Sequence, residues 1–276
     1  MDQIDRMIDF ALAEDIGYGD ITTQTCVPEQ TLAKGYFLCK QEAVVCGIDV
    51  MRRVFSRFDP NIVVTNQVNE GQRVDKGTII AEIEGAARSI LTGERTALNF
   101  LQHLSGIATK TASIVKQVDG TRARIADTRK TTPGMRMLEK YAVRIGGGYN
   151  HRIGLSDGIL IKDNHIVAAG GIKAAVEAVR QNIPHTLKIE VETSNFHEVE
   201  EALAAKADII MLDNMSIEEM AQAVKQIGGR ALTEASGNMA DRDLKQVAQT
   251  GVDIISIGGL THSVNAVDIS LKFSIC

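Results

Sequence analysis

Apolar residues recur at helical spacing from the start of the chain. Ile4, Met7, Ile8, Ala11 and Leu12 share one face before Gly17, Gly19 and Asp20 break the run, which predicts an amphipathic helix over residues 3–14. From about residue 32 to 84 the texture changes to short β-rich runs, YFLCK, AVVCGI, NIVVTNQV and TIIAEIEG, punctuated by Gly71 and Gly77. That pattern predicts a small sheet with hairpins. Between 88 and 118 the helical period returns, with Ile90, Leu91, Ala97, Leu98, Leu101, Leu104, Ile107 and Ala108 on a broad apolar face that Glu94, Arg95 and Asn99 interrupt.

After residue 120 β-branched runs alternate with helical stretches. The strands read RIADT, GILIKDN, LKIEVET, DIIMLDN, ALTEASG and DIISIGG, separated by helices such as GIKAAVEAVRQN and SIEEMAQAVKQI. Strand, helix, strand at this pitch implies parallel pairing through right-handed crossovers. A doubly wound sheet and a (β/α) barrel both satisfy it. The barrel is favoured because nearly every strand carries a polar or glycine residue of functional character at its C-terminal end, whereas an open sheet concentrates such residues at one switch point. Only six strands can be assigned, so the barrel is expected to be incomplete.

Composition narrows the classes. With 276 residues and 44% apolar content the chain can fill one large core, or a large and a small one. A net charge of −5 argues against general nucleic-acid or membrane-surface binding, which needs a basic excess or a basic face. Cys26, Cys39, Cys46 and Cys276 show neither a CxxC pair nor metal spacing, and the first residues lack the basic and apolar regions of a signal peptide. A cytoplasmic protein is expected. No apolar run approaches the roughly 20 residues that cross a bilayer.

Candidate chemistry gathers at the strand ends: Arg129 and Lys130, Lys162, Glu192 with Glu190 on the same strand face, Asp213, Ser236-Gly237, and Gly258-Gly259. Asn150-His151-Arg152 adds cations after a triple glycine. Glycine and serine at the last two strand ends let backbone amides approach a phosphate. Glu192 and Asp213 suit ribose hydroxyls, or a Mg²⁺ that already carries phosphate oxygens. Arg129, His151, Arg152 and Lys162 would grip planar carboxylates. The ligand set expected is a phosphorylated sugar beside a compact di- or polyanion. Two other readings stay open at this level. Asp75-Lys76-Gly77 has the form of a modified carrier-lysine hairpin, and Lys162 on a barrel strand has the placement of a Schiff-base lysine.

The runs ERTALNFLQHLSGIAT, ADTRKTTPGMRMLEKYAV, GGGYNHRIGLSDGILIKDNHI, IEVET, MLDN, EASGN and SIGGLTHS, with EDIGYGDIT near the start, closely resemble quinolinate phosphoribosyltransferases. The resemblance implies a small N-terminal α/β sandwich domain (1–112, joined by the C-terminal segment 264–276) and an open α/β barrel (113–263). It further implies a homodimer, with assembly to a hexamer left open, in which one subunit's N-terminal domain covers the other's barrel mouth. By motif, Arg129, His151, Arg152 and Lys162 resemble the quinolinate-binding cations, and Arg95 resembles an arginine donated across the dimer interface. Lys130 matches the lysine on the phosphoribosyl pyrophosphate side, and Glu192 and Asp213 match the carboxylates near ribose and Mg²⁺. Ser236, Gly237, Gly258 and Gly259 match the 5-phosphate site, with Asn238 where many relatives have a second glycine. Lys130, Lys162, Glu192 and Asp213 would carry the chemistry. The implied reaction takes quinolinate and phosphoribosyl pyrophosphate to nicotinate mononucleotide, pyrophosphate and CO₂. A related phosphoribosyltransferase acting on another acid is the nearest alternative.

Overall fold

The predicted amphipathic helix is α1 (Gln3–Ile16), which buries Ile8 and Leu12. This is a computed structural model of the chain, describing residues 3–275; Cys276 lies outside the described residues. Helix α2 (Ile21–Cys26) follows, capped by Asp20, whose side chain accepts from Thr23 N at 2.9 Å. The β-rich stretch then forms β1 (Leu32–Cys39), β2 (Ala43–Val44), helix α3 (Ile48–Phe58), β3 (Val63–Asn66), β4 (Arg73–Val74) and β5 (Ile79–Ala86). In β1 the alternation is direct: Ala33, Phe37 and Cys39 are buried while Leu32 and Lys34 are exposed. Helix α4 (Ala87–Val115) supplies the broad apolar face, burying Ile90, Leu98, Leu101, Leu104 and Ile107.

The alternating half of the chain yields all six expected strands. They are β6 (Arg124–Ala126), β7 (Ile159–Ile161), β8 (Ile189–Thr193), β9 (Ile209–Asp213), β10 (Leu232–Ser236) and β11 (Ile254–Ser256). Helix α5 (Arg136–Ile145) lies between β6 and β7; α6 (Asp163–Ala169) and α7 (Ile172–Asn182) lead to β8, α8 (Phe196–Ala204) to β9, α9 (Ile217–Ile227) to β10 and α10 (Leu244–Gln249) to β11. Helix α9 starts where a sequence reader would start it, at a capping box in which Ser216 and Glu219 serve each other's backbone N–H. After α11 (Gly259–His262) the chain ends in β12 (Ile269–Ile275).

The strand order decides between the two topologies left open above. The six-stranded sheet runs β6-β11-β10-β9-β8-β7, every neighbouring pair parallel. Consecutive strands are neighbours from β7 to β11, and the first strand then joins the last. This is the cyclic order of a barrel, opened at the seam between β6 and β7. The other sheet is antiparallel, β12-β1-β5-β3, so the C-terminal strand completes the N-terminal sheet by pairing with β1.

By packing, one unit comprises the residues up to Ala112, Thr132–Gly147 and the residues from Ser263; the other comprises Ser113–Thr131 and Gly148–His262. The segment 132–147, expected inside the barrel range 113–263, belongs with the first unit instead. The reason is local: Glu139 on α5 is fully buried, bonded to His103 of α4 at 2.9 Å and accepting from Thr132 N at 3.1 Å. No helix among the described residues is long and apolar enough to cross a membrane. Cys26, Cys39 and Cys46 are free thiols, and burial pushes the thiols of Cys39 and Cys46 up.

Candidate active site

All six barrel strands point their C-terminal ends at one cavity of about 620 Å³. It is lined by Arg129 and Lys130 after β6, His151 and Arg152 from the loop before β7, Lys162 after β7, Glu192 on β8 and Asp213 on β9. Ser236 and Gly237 after β10, and Gly258 and Gly259 after β11, complete it. Every site residue expected from the sequence therefore reaches this cavity except Arg95, which is exposed on α4 and does not line it.

The cations are not equivalent. Arg152 Nη1 donates to Gly158 O at 3.0 Å, while its Nε is buried with no hydrogen-bond partner among the described residues. Burial and then the neighbouring Arg129 guanidinium lower the Arg152 pKa, against the pull of Glu190 and Asp157. A half-buried Arg152 with an orphan donor, beside an exposed Arg129 whose charge it feels, forms a receptor for an anion with a planar face. Lys162, by contrast, is paired through Nζ with Glu192 Oε2 on the adjacent strand. A lysine ammonium engaged in this way is not the desolvated neutral amine that a Schiff base requires.

His151 departs furthest from expectation. The sequence places it as a cation on the ligand, yet both ring nitrogens are used within the protein. Nδ1 accepts from Arg152 N at 2.8 Å, and Nε2 lies 3.0 Å from Glu190 Oε2 and 3.7 Å from Glu234 Oε1. A ring whose Nδ1 accepts must carry its proton on Nε2, so the hydrogen-bond pattern assigns the neutral tautomer donating to Glu190. The loop is anchored from behind by Asp127, fully buried, which accepts from His151 N at 2.9 Å and from Asn150 Nδ2 at 2.5 Å.

The opposite wall is built of backbone. Gly237 has φ +90°, and a Cβ there would meet Asn214 Oδ1 at 2.3 Å. Only glycine fits. Asn238 follows with φ +50°, the left-handed region that asparagine tolerates best after glycine. After the neighbouring strand β11, Gly258 leaves room for Lys130, whose Cδ would lie 2.8 Å from an added Cβ. The Lys130 carbonyl is held by Thr261 Oγ1 of α11 at 2.7 Å, so the lysine backbone is tied to the glycine-rich end of β11. Between the two walls, Asp213 Oδ2 accepts from Asn214 Nδ2 at 2.6 Å.

The sequence reading passes over Asp127 and Glu234 as site residues and offers Glu190 only beside Glu192. A signal for Glu234 existed: in EASGN it is two positions before Ser236 and so shares its inward strand face.

Comparison with known proteins gives the lineage. Residues 107–272 match the quinolinate phosphoribosyl transferase C-terminal domain, and residues 20–105 match the N-terminal domain of the same family. The chain belongs to the quinolinate phosphoribosyltransferase family. A Bacillus subtilis protein named as a probable nicotinate-nucleotide pyrophosphorylase (carboxylating) is 44% identical over 273 residues, covering 99% of this chain and 94% of the relative. A Methanocaldococcus jannaschii protein of the same description is 46% identical, over 96% of this chain and 95% of the relative. Among solved structures, NadC from Streptococcus pyogenes superposes with a TM-score of 0.93 at 44% identity, covering 99% of this chain and 97% of that one. The nicotinate-nucleotide pyrophosphorylase from Francisella tularensis gives 0.94 at 44% identity, with 99% and 96% covered. The two-part fold of the family is thus present from end to end.

Proposed function

We propose that this protein is a quinolinate phosphoribosyltransferase, joining quinolinate to phosphoribosyl pyrophosphate and releasing pyrophosphate and CO₂ to leave nicotinate mononucleotide for NAD biosynthesis. The observation that carries this reading is the Arg129–Arg152 pair with its orphan Nε, facing the Ser236-Gly237 and Gly258-Gly259 wall across a single cavity. A monocarboxylate does not need two guanidiniums and Lys162 together, whereas a pyridine dicarboxylate does.

In this reading Arg129, Arg152 and Lys162 hold the two carboxylates, with His151 fixed beneath them. Lys130 faces the pyrophosphate and the glycine wall takes the 5-phosphate. The ring nitrogen attacks the anomeric carbon as pyrophosphate leaves, with Glu192 and Asp213 orienting the ribose and favouring its developing positive charge. Once alkylated, the ring nitrogen stabilises the carbanion left at C2 when CO₂ departs, and C2 then takes a proton from solvent, so the protein need not supply an electron sink.

Magnesium fits the site on the Asp213 side. Asp213 presents a hard carboxylate to the cavity, while Glu192 is already engaged by Lys162. Mg²⁺ arriving on the pyrophosphate would be held there and would offset leaving-group charge. The working form in this reading is a cytoplasmic homodimer in which the partner's Arg95 completes the dicarboxylate site, consistent with an Arg95 that is exposed on α4. Mass-spectrometric identification of the nucleotide formed from quinolinate, phosphoribosyl pyrophosphate and Mg²⁺ tests the reading; a product retaining the 2-carboxylate, or no product, contradicts it.

A further inference from the structure

Beneath the cavity lies a cluster that the reaction scheme above does not use. Glu190 on β8 and Glu234 on β10 are 3% and 1% exposed, and each has an Oε1 with no hydrogen-bond partner among the described residues. One oxygen of each lies within 4.8 Å of the other and of His151 Nε2. Two buried carboxylates at this spacing cannot both stay ionised cheaply, with the His151 imidazole N–H and, at Glu234, the Ser256 hydroxyl to serve them. A metal ion is not the answer the geometry favours. Because Nδ1 of His151 accepts from Arg152 N, its Nε2 presents a proton rather than a lone pair to the cluster. A proton on Glu234 answers both needs, removing one charge and supplying a donor among the orphan oxygens.

We propose that Glu190 and Glu234 are positioning residues that share one proton, hold His151 in its neutral Nε2–H form, and keep the floor of the dicarboxylate pocket at a single negative charge. The proposal rests on the quinolinate reading above. Burial, and then the charge of Glu190, push Glu234 up to about 7, against the opposing effect of His151. The groups that face Glu234 are few. Glu190 comes from β8, His151 and Arg152 from the loop before β7, and Ser256 from β11, while the register partner on β9 is the apolar Met211. Asp127 stands behind His151. A second cavity, of about 940 Å³ and lined by N-terminal residues of the strands and by the loop before β7, reaches Glu190 and Glu234 and includes Arg124, Lys188 and Asp253. Protons can therefore exchange without passing the bound substrate.

When Glu234 loses its proton the floor doubles its negative charge under a dianionic ligand. Quinolinate affinity, measured by calorimetry where both substrate carboxylates are ionised, should weaken roughly tenfold as pH rises from 6 to 8.5. In E234Q the slope should flatten, because glutamine mimics the protonated acid at every pH. E190Q should flatten it as well, since Glu234 then has no charged neighbour and its proton leaves at lower pH. A wild-type slope retained in either variant overturns the proposal, as does a flat wild-type profile. The infrared carboxyl C=O stretch of the wild-type protein supplies a reading that needs no variant: present at pH 6 and lost by pH 8.5 supports the pair, while absence at pH 6 overturns it. Failure to bind quinolinate at any pH would defeat the substrate reading instead, and the infrared band then decides the shared proton alone.

Discussion

Lys162 and Glu192 are paired across adjacent strands, at the place where the cation side of the cavity meets its carboxylate side. A dicarboxylate entering beside Lys162 must compete with Glu192 for the ammonium. Lys162→Ala removes a ligand cation and leaves Glu192 without its partner. It should lower kcat/KM for quinolinate by roughly a hundredfold in steady-state assays. Glu192→Gln frees the lysine, so its loss should fall on phosphoribosyl pyrophosphate rather than on quinolinate affinity. Equal loss on both substrates would contradict the division of roles.

Arg152 Nε is buried without a hydrogen-bond partner among the described residues, so an acceptor on a bound ligand would satisfy it. Arg152→Lys keeps the charge but loses the planar fork, and should weaken quinolinate binding by about 1–3 kcal/mol. Isothermal titration reads this directly. Circular dichroism should show the fold retained, since the acceptor lost among the described residues is Gly158 O.

Gly237→Ala places a methyl group against Asn214 Oδ1 at a φ of +90°. The expected result is a loss of about 1–3 kcal/mol in stability by urea denaturation, together with a raised KM for phosphoribosyl pyrophosphate. Quinolinate affinity should be spared, because the added methyl group meets Asn214 rather than Arg129 or Arg152.

Stability should also depend on Glu234. Burial and the charge of Glu190 push its folded-state pKa up to about 7, above the ordinary glutamate value of about 4.5. The native state therefore holds a proton that the unfolded chain releases, and stability from this group falls as pH rises from about 4.5 to 7. The penalty, on the order of 3 kcal/mol, is complete above pH 7. Urea denaturation of wild type and Glu234→Gln at pH 5.5 and pH 8 tests it. The variant should gain relative to wild type at the higher pH, and an unchanged difference between the two pH values would contradict the shift.

The barrel strands were legible because buried parallel strands are short β-branched runs between helices, and β6 to β11 all coincide with such runs. The strand ends were legible for the same reason, since residues following such runs must point at one mouth. Three features were not. Helix α5 sits in the barrel's stretch of sequence but packs through Glu139 and His103, and long-range packing leaves no local signature. His151 reads as a cation by type, and only the positions of Arg152 N and Glu190 show it to be a neutral donor. Glu190 reads as a spare neighbour of Glu192, yet two residues along a strand separate the cavity rim from the barrel interior.

The central claim is that the Arg129–Arg152 pair selects a dicarboxylate for phosphoribosyl transfer. Quinolinate and nicotinate should be compared at equal concentration with phosphoribosyl pyrophosphate and Mg²⁺, following pyrophosphate and CO₂ together. The account predicts equal amounts of both products with quinolinate and little pyrophosphate with nicotinate. Turnover of nicotinate as fast as quinolinate, or pyrophosphate release from quinolinate without CO₂, would contradict it.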